Sequence, residues 1–164
     1  YFIDTHTDSN THTTSHMLRH CVRRLVQVPP SSPEAVKALL ARKTIIMVGL
    51  STDPFRPSYH VGEFLQEKGY KIIPVRPGKG HILGEPIVNK LSDIPPDVMQ
   101  TAVVDVFRRN EDLEAVVDEA IAAHATGLWL QLGLTNEAAI QKATDAGMTV
   151  VFDKCIRIEL EHSQ

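Results

Sequence analysis

Residues 44–76, TIIMVGLSTDPFRPSYHVGEFLQEKGYKIIPVR, constrain the fold of this chain more than any other stretch. Ile45-Ile46-Met47-Val48 is apolar, rich in β-branched residues and too short for a helix, so it reads as a buried strand. Gly49 breaks the run where a backbone must turn tightly or let a ligand come close. A polar loop follows from Leu50 to Pro57 and carries Ser51, Thr52 and Arg56. Ser58 is expected to cap a helix in which Val61, Phe64 and Leu65 recur at i, i+3 and i+4. Gly69 ends that helix, and Lys71 to Val75 makes a second apolar strand. A strand–loop–helix–strand unit of this kind is one half of a doubly wound sheet.

Such a unit favours an anion at one place. The helix start carries unpaired N–H groups and the positive end of the helix dipole, both at the carboxyl edge of the sheet. Hydroxyls at Ser51 and Ser58 and the guanidinium of Arg56 would strengthen a phosphate site there. The alternative is a plain strand–helix turn, with Ser58 only capping and Arg56 only solvated.

The rest of the chain repeats the pattern. Ser32-Pro33-Glu34 starts a short helix that leads into the first strand. Arg76-Pro77-Gly78-Lys79-Gly80-His81 is a loop of turn residues with positive charge, and His81 stands where it could reach a phosphate. Residues 82–87 read as an irregular connection and LSDIPP, 91–96, as a further turn. Strands are expected over 101–106, 127–132 and 148–152. Helices capped by Asn110 and Thr135 separate them, the first including His124. Strands and helices alternating in this way form an α/β fold: a doubly wound, mostly parallel, five-stranded sheet with helices on both faces. Its ligands gather where the carboxyl ends of the strands open into a crevice. Arg56, then Arg76 and Lys79, then Arg108 and Arg109 follow three separate strands, which points to a ligand with more than one phosphate.

Composition narrows the class. One domain fits 164 residues, and a net charge of −3 with no basic face argues against nucleic acid as a partner. No apolar run approaches a membrane span, so no membrane partner is expected. Cys21 and Cys155 lack C-x-x-C spacing, which suits a reducing, intracellular compartment. Residues 1–31 are expected to be a disordered extension and 32–164 the folded domain. His12, His16 and His20 would share a face only in a helix, which the surrounding composition does not favour. Residues 15–17 read equally as a junction preceding a start at Met17. From there Arg19, Arg23 and Arg24 come with no acid before Glu34, the pattern of a mitochondrial transit peptide. The protein is therefore expected in the cytoplasm, or in mitochondria if that segment is a transit peptide.

The ligand can be narrowed further. A G-x-G-x-x-G turn is absent, since Gly49-Leu50-Ser51-Thr52-Asp53-Pro54 holds neither later glycine. The end of the second strand carries Arg76 rather than an acid, which selects a ligand with an extra ribose phosphate, NADP or coenzyme A. G-L-S-x-x-x-x-R-P-S at 49–58, P-V-R-P at 74–77, V-F-R at 106–108 and W-L-Q-L-G at 129–133 then carry a specific resemblance. The chain resembles the single-domain CoA-binding proteins, stand-alone Rossmann-like relatives of the N-terminal CoA-binding domain of the succinyl-CoA synthetase alpha subunit. The likeness runs over about residues 33–160 and includes Pro77-Gly78-Lys79-Gly80 and Leu83-Gly84-Glu85-Pro86.

That resemblance implies coenzyme A, or an acyl-CoA, lying across the carboxyl edge. Gly49, Leu50, Ser51, Arg56, Pro57 and Ser58 would then hold the pyrophosphate. Arg76 and Lys79 would face the adenosine end and its 3′-phosphate. Val75, Pro77 and Phe107 would flank adenine or ribose, with Arg108 and Gln131 close by. One residue departs from the pattern: these relatives usually read P-V-N-P where this chain has Arg76, whose bulk either grips the phosphate or crowds the adenine. The synthetase's second domain and its partner subunit have no counterpart here, and no catalytic residues are recognisable. Cys155, beside Asp153 and Lys154, is the one nucleophile at the ligand edge, either a packed apolar filler or a partner for a mixed disulfide with CoA. The reading is a CoA-binding protein without evident catalysis, with a protein partner or self-association left open. Two alternatives stay open as well: an NADP-dependent oxidoreductase or acyl-CoA ligase component, and a degenerate nucleotide fold that serves as an interaction module.

Overall fold

The computed structural model describes residues 28–163. The histidine row 12/16/20, Cys21 and, of the segment 17–32 that reads as a transit peptide, residues 17–27 with all its arginines lie outside them. Contacts of the folded chain begin before Ser32: the Ser31 N–H donates to Val150 O at 2.9 Å, and the Ser31 hydroxyl accepts from Phe152 N–H at 2.8 Å.

Helix α1 (Pro33–Leu40) starts as the sequence predicts, with the Ser32 hydroxyl accepting from Ala35 N–H at 3.1 Å. Strand β1 (Thr44–Val48), helix α2 (Pro57–Glu67) and strand β2 (Lys71–Val75) complete the predicted unit. A two-residue hairpin follows, β3 (His81–Ile82) against β4 (Glu85–Pro86), where the sequence suggested irregular chain. Helix α3 (Pro96–Thr101), strand β5 (Val103–Val106) and helix α4 (Leu113–Ala122) come next. Strand β6 (Gly127–Leu130), helix α5 (Glu137–Asp145), strand β7 (Thr149–Val151) and helix α6 (Ile156–His162) end the described chain.

The fold class stands, and five local expectations change. LSDIPP is a 3-10 turn at Leu91–Asp93 followed by α3, so Thr101 ends a helix instead of starting a strand. Pro96 sits at the first helical position, where its missing N–H has no intrahelical partner to lose, and Asp97 suits the positive helix end. Asn110 opens a 3-10 turn (Asn110–Asp112) and does not cap α4; Asn136, not Thr135, caps α5 through Ala139 N–H at 3.0 Å. His124 lies past the end of α4, at φ 60°. The cap expected at Ser58 falls two residues earlier, on Arg56, because Pro57 presets the helical φ.

The five long strands form one sheet in the order β2-β1-β5-β6-β7, every neighbouring pair parallel. Such strands are buried on both faces, which is why they read as unbroken apolar runs. One face packs Ile46, Val48, Val104, Val106, Leu128 and Leu130 under α3, α4 and α5. The other packs Ile45, Met47, Ile72, Val103, Trp129 and Val151 under α1, α2 and α6. Strand order reverses direction between β1 and β5, and that is where an open α/β sheet parts into a crevice at its carboxyl edge.

Gly49 makes the reversal point tight. Its φ is +90°, and a Cβ there would stand 2.2 Å from the backbone oxygen of Phe107. Gly69, at φ +82°, has open space around its missing Cβ. Gly49→Ala is therefore expected to lose about 3 kcal/mol or more in chemical denaturation, from strain plus displaced backbone, and Gly69→Ala about 1–2 kcal/mol, from strain alone.

Candidate functional site

A crevice of about 530 Å³ opens at the carboxyl edge, over the ends of β2, β1, β5 and β6. The chain after β1 supplies Gly49, Leu50, Ser51, Arg56, Pro57 and Ser58. Arg76 and Pro77 follow β2, Phe107 and Arg108 follow β5, and Gln131, Leu132 and Leu134 follow β6. The crevice thus collects residues from four separate strand ends.

Local hydrogen bonds shape the loop after β1. The buried Ser58 hydroxyl accepts from Ser51 N–H at 3.1 Å, folding the loop back on the first turn of α2. The Ser51 hydroxyl accepts from Asp53 N–H at 3.0 Å, and Asp53 Oδ1 from Phe55 N–H at 2.9 Å. Both serines keep their own hydroxyl hydrogens for an acceptor in the crevice. The opposite wall is braced by Asn110, whose amide donates to Gly133 O at 3.1 Å and accepts from Thr135 N–H at 2.9 Å. Asp153 Oδ1 accepts from Gly133 N–H at 2.7 Å and ties the same loop to the end of β7.

Among the described residues, three guanidinium groups line the crevice and no carboxylate does. Arg56 stands 3.9 Å from Asp53, both well exposed, a pairing too loose to hold it against a better anion. Arg76 Nη1 donates to Leu50 O across a long 3.4 Å. Arg108 is exposed on the rim. Arg109 points elsewhere, held by Glu111 at 2.6 Å and Asp112 at 3.1 Å.

Eleven of the thirteen residues singled out from sequence line this crevice; Val75 and Lys79 do not. Val75 is buried in the core, and its carbonyl accepts from Gly49 N–H at 2.9 Å, so it holds the loop in place from behind. Lys79 is exposed on the loop between β2 and β3, where Gly78 N–H donates to Asn89 Oδ1 at 3.0 Å. His81 lies in the β3–β4 hairpin and does not line the crevice. Cys155 is a free, half-buried cysteine packed against the cluster that contains Trp129, also outside the crevice. Sequence reading missed Leu132 and Leu134, whose only signal was their place after the fourth strand.

It also missed Asp105. This carboxyl is fully buried in β5, between Met47 and Trp129 in register. Its Oδ1 accepts from Gln131 Nε2 at 2.7 Å, and Oδ2 has no hydrogen-bond partner among the described residues. The signal was an acid inside Thr101-Ala102-Val103-Val104-Asp105-Val106, an otherwise apolar strand. Burial pushes the Asp105 carboxyl up to about 7, against a smaller downward pull from the Gln131 amide and the Val106 N–H.

A parallel sheet of this order, with an apolar and cationic crevice at its reversal point, has the geometry in which open α/β sheets hold their ligands. Residues 43–161 match the family described as "CoA binding domain", and the chain belongs to that family. It is 40% identical over 129 residues to the uncharacterized protein YneT of Bacillus subtilis, a match covering 79% of this chain and 93% of YneT. A hypothetical protein of Pyrococcus horikoshii OT3 superposes with a TM-score of 0.73 at 32% identity, over 83% of this chain and 96% of that one. A Thermus thermophilus protein superposes with a TM-score of 0.72 at 31% identity, over 79% and 96%.

The position of Asp105 gives the fold a pH dependence of known sign. A carboxyl with a raised folded-state pKa binds more protons folded than unfolded between about 3.8 and 7, so stability falls as pH rises through that window and levels off above it. Asp105→Asn cannot ionise. The Tm of the wild type minus that of Asp105→Asn is expected to fall between pH 5 and pH 8, and thermal unfolding across that range checks it.

Proposed function

We propose that this protein binds coenzyme A or an acyl-CoA across the carboxyl edge of the sheet. The observation that supports this most is the convergence of Arg56, Arg76 and Arg108 on one crevice that no carboxylate of the described residues lines, in a chain of the CoA-binding family. The pyrophosphate sits on the loop 49–58, where the amide groups at the start of α2, the Ser51 and Ser58 hydroxyls and the Arg56 guanidinium converge. Arg76, at the end of β2, takes the phosphate at the adenosine end. Its hold on Leu50 O is long enough to be exchanged for a charged partner, so the arginine that replaces the family's usual asparagine grips the ligand instead of blocking it. Pro77 and Phe107 flank the base or ribose.

Binding, with no group transfer, is the function proposed. Asp53 and Asp153, beside the crevice, accept from backbone N–H groups, and Cys155 packs into the core.

The test is a thermal-shift series with CoA, dephospho-CoA, acetyl-CoA, NADP and NAD at equal concentrations. At a hundred times Kd, CoA is expected to add about 2.7 kcal/mol and so roughly 5–10 °C to the Tm. Dephospho-CoA is expected to bind more weakly in the wild type and as well as CoA in Arg76→Ala. Arg56→Ala is expected to weaken CoA about tenfold or more, the usual effect of losing a charged hydrogen bond. A response to NADP with none to CoA would mark an oxidoreductase, and no response to any of the five would favour an interaction module.

A further inference from the structure

Gln131 is the only residue that both lines the crevice and is hydrogen-bonded to a fully buried ionisable group among the described residues. Its amide is held at two points. Nε2 donates to Asp105 Oδ1 at 2.7 Å, and Oε1 accepts from Ile156 N–H, at the start of α6, across 3.4 Å. With its orientation set this way, Gln131 keeps one amide hydrogen for an acceptor in the crevice. Behind it lies Asp105 Oδ2, buried and without a partner among the described residues. A carboxylate oxygen left so is costly, whereas a protonated carboxyl needs no counter-charge there. The site therefore has a buried proton-holding group directly behind a residue of its wall.

We propose that Asp105 is a positioning residue of the crevice: it orients Gln131, and it takes up a proton when an anionic ligand fills the space in front of that amide. This rests on the CoA reading above. Two effects act in the same direction. A bound ligand displaces water from above Gln131, and its phosphates bring negative charge toward the carboxyl behind it. Because binding raises the proton affinity of Asp105, protonation must in turn tighten binding by the same factor. A free-protein value of about 7 places the change where pH is physiological.

The surroundings leave Asp105 as the group that responds. Its neighbours in register, Met47 and Trp129, do not ionise. From α6 and the turn before it come the half-buried Cys155 thiol, the Lys154–Glu159 pair at 3.0 Å and the Arg157–Glu161 pair at 3.1 Å. The charged residues of α1, Glu34 and Lys37, are exposed, as are His60, Glu63 and Glu67 of α2. On the crevice side stand Arg56, Arg76 and Arg108. None of these groups is among the causes of the Asp105 shift, which are burial, Gln131 and Val106.

The test is CoA affinity by titration calorimetry at pH 6 and pH 8, for wild type and Asp105→Asn. Ionisation of the ligand's phosphates is common to both proteins and cancels in the comparison. The ratio of Kd at pH 8 to Kd at pH 6 is expected to be roughly tenfold larger in the wild type than in Asp105→Asn. A second measurement needs no variant and decides the matter if Asp105→Asn does not fold. At pH 7.5, where CoA's phosphates are already ionised, binding heats in two buffers of different ionisation enthalpy are expected to show net proton uptake by the wild type. Equal Kd ratios in the two proteins, or binding without proton uptake, would overturn the inference and leave the CoA reading standing. Failure of CoA to bind the wild type at either pH would overturn both.

Discussion

Everything at the functional edge of this protein depends on three strand ends meeting at Gly49. Its N–H is donated to Val75 O at the end of β2, and the preceding Val48 O accepts from Phe107 N–H at 2.8 Å, at the end of β5. The third contact is a close approach: the glycine's α-carbon faces the Phe107 carbonyl with no room for a side chain. The left-handed turn then sends the chain away from the sheet and into the loop that shapes the crevice. The connections leaving β1 and β5 turn to opposite faces of the sheet at this reversal of strand order, so the close approach at Gly49 lies directly under the place where the fold opens. Stability and site geometry come from the same few backbone atoms.

The site is assembled by delegation. Loops after four strands contribute, and short polar bonds fix their shapes. Ser58 folds the loop after β1, Asn110 and Asp153 hold the loop after β6, and Asn89 restrains the loop after β2. A loop held by its own short polar contacts loses little further freedom when a ligand arrives, so ordering it costs little of the binding free energy. The charge is arranged in the same spirit. Arg109 is neutralised by Glu111 and Asp112, whereas Arg56, Arg76 and Arg108 face the crevice with weak partners or none of those.

Much of this was legible in the sequence, because parallel strands buried on both faces leave a plain record. Runs such as Ile45-Ile46-Met47-Val48 mark a strand whatever surrounds them, and the polar residue after each run then lies at the carboxyl edge. That rule alone found Arg56, Arg76, Arg108 and Gln131. What stayed hidden depended on longer-range facts. Two adjacent prolines at 95–96 look like a turn, although the second starts a helix. Asn110 looks like a cap, and only the folded chain shows it reaching across to Gly133 and Thr135. Lys79 is cationic and follows a strand, but its loop carries it away from the crevice. Asp105 was legible as an anomaly and not as a role, since its partner Gln131 is a neighbour only through the pairing of β5 with β6.

The central claim is that the carboxyl edge at the β1–β5 reversal is where a phosphate-bearing ligand binds. The most direct test is a titration of isotope-labelled protein with CoA, followed by backbone amide chemical shifts. The account expects the largest shifts at Gly49, Ser51 and Ser58, at Arg76, Phe107 and Arg108, and at Gln131, with the opposite edge of the sheet, around Arg42 and Thr126, unmoved. Saturable shifts centred on any other surface, with residues 49–58 silent, would contradict it.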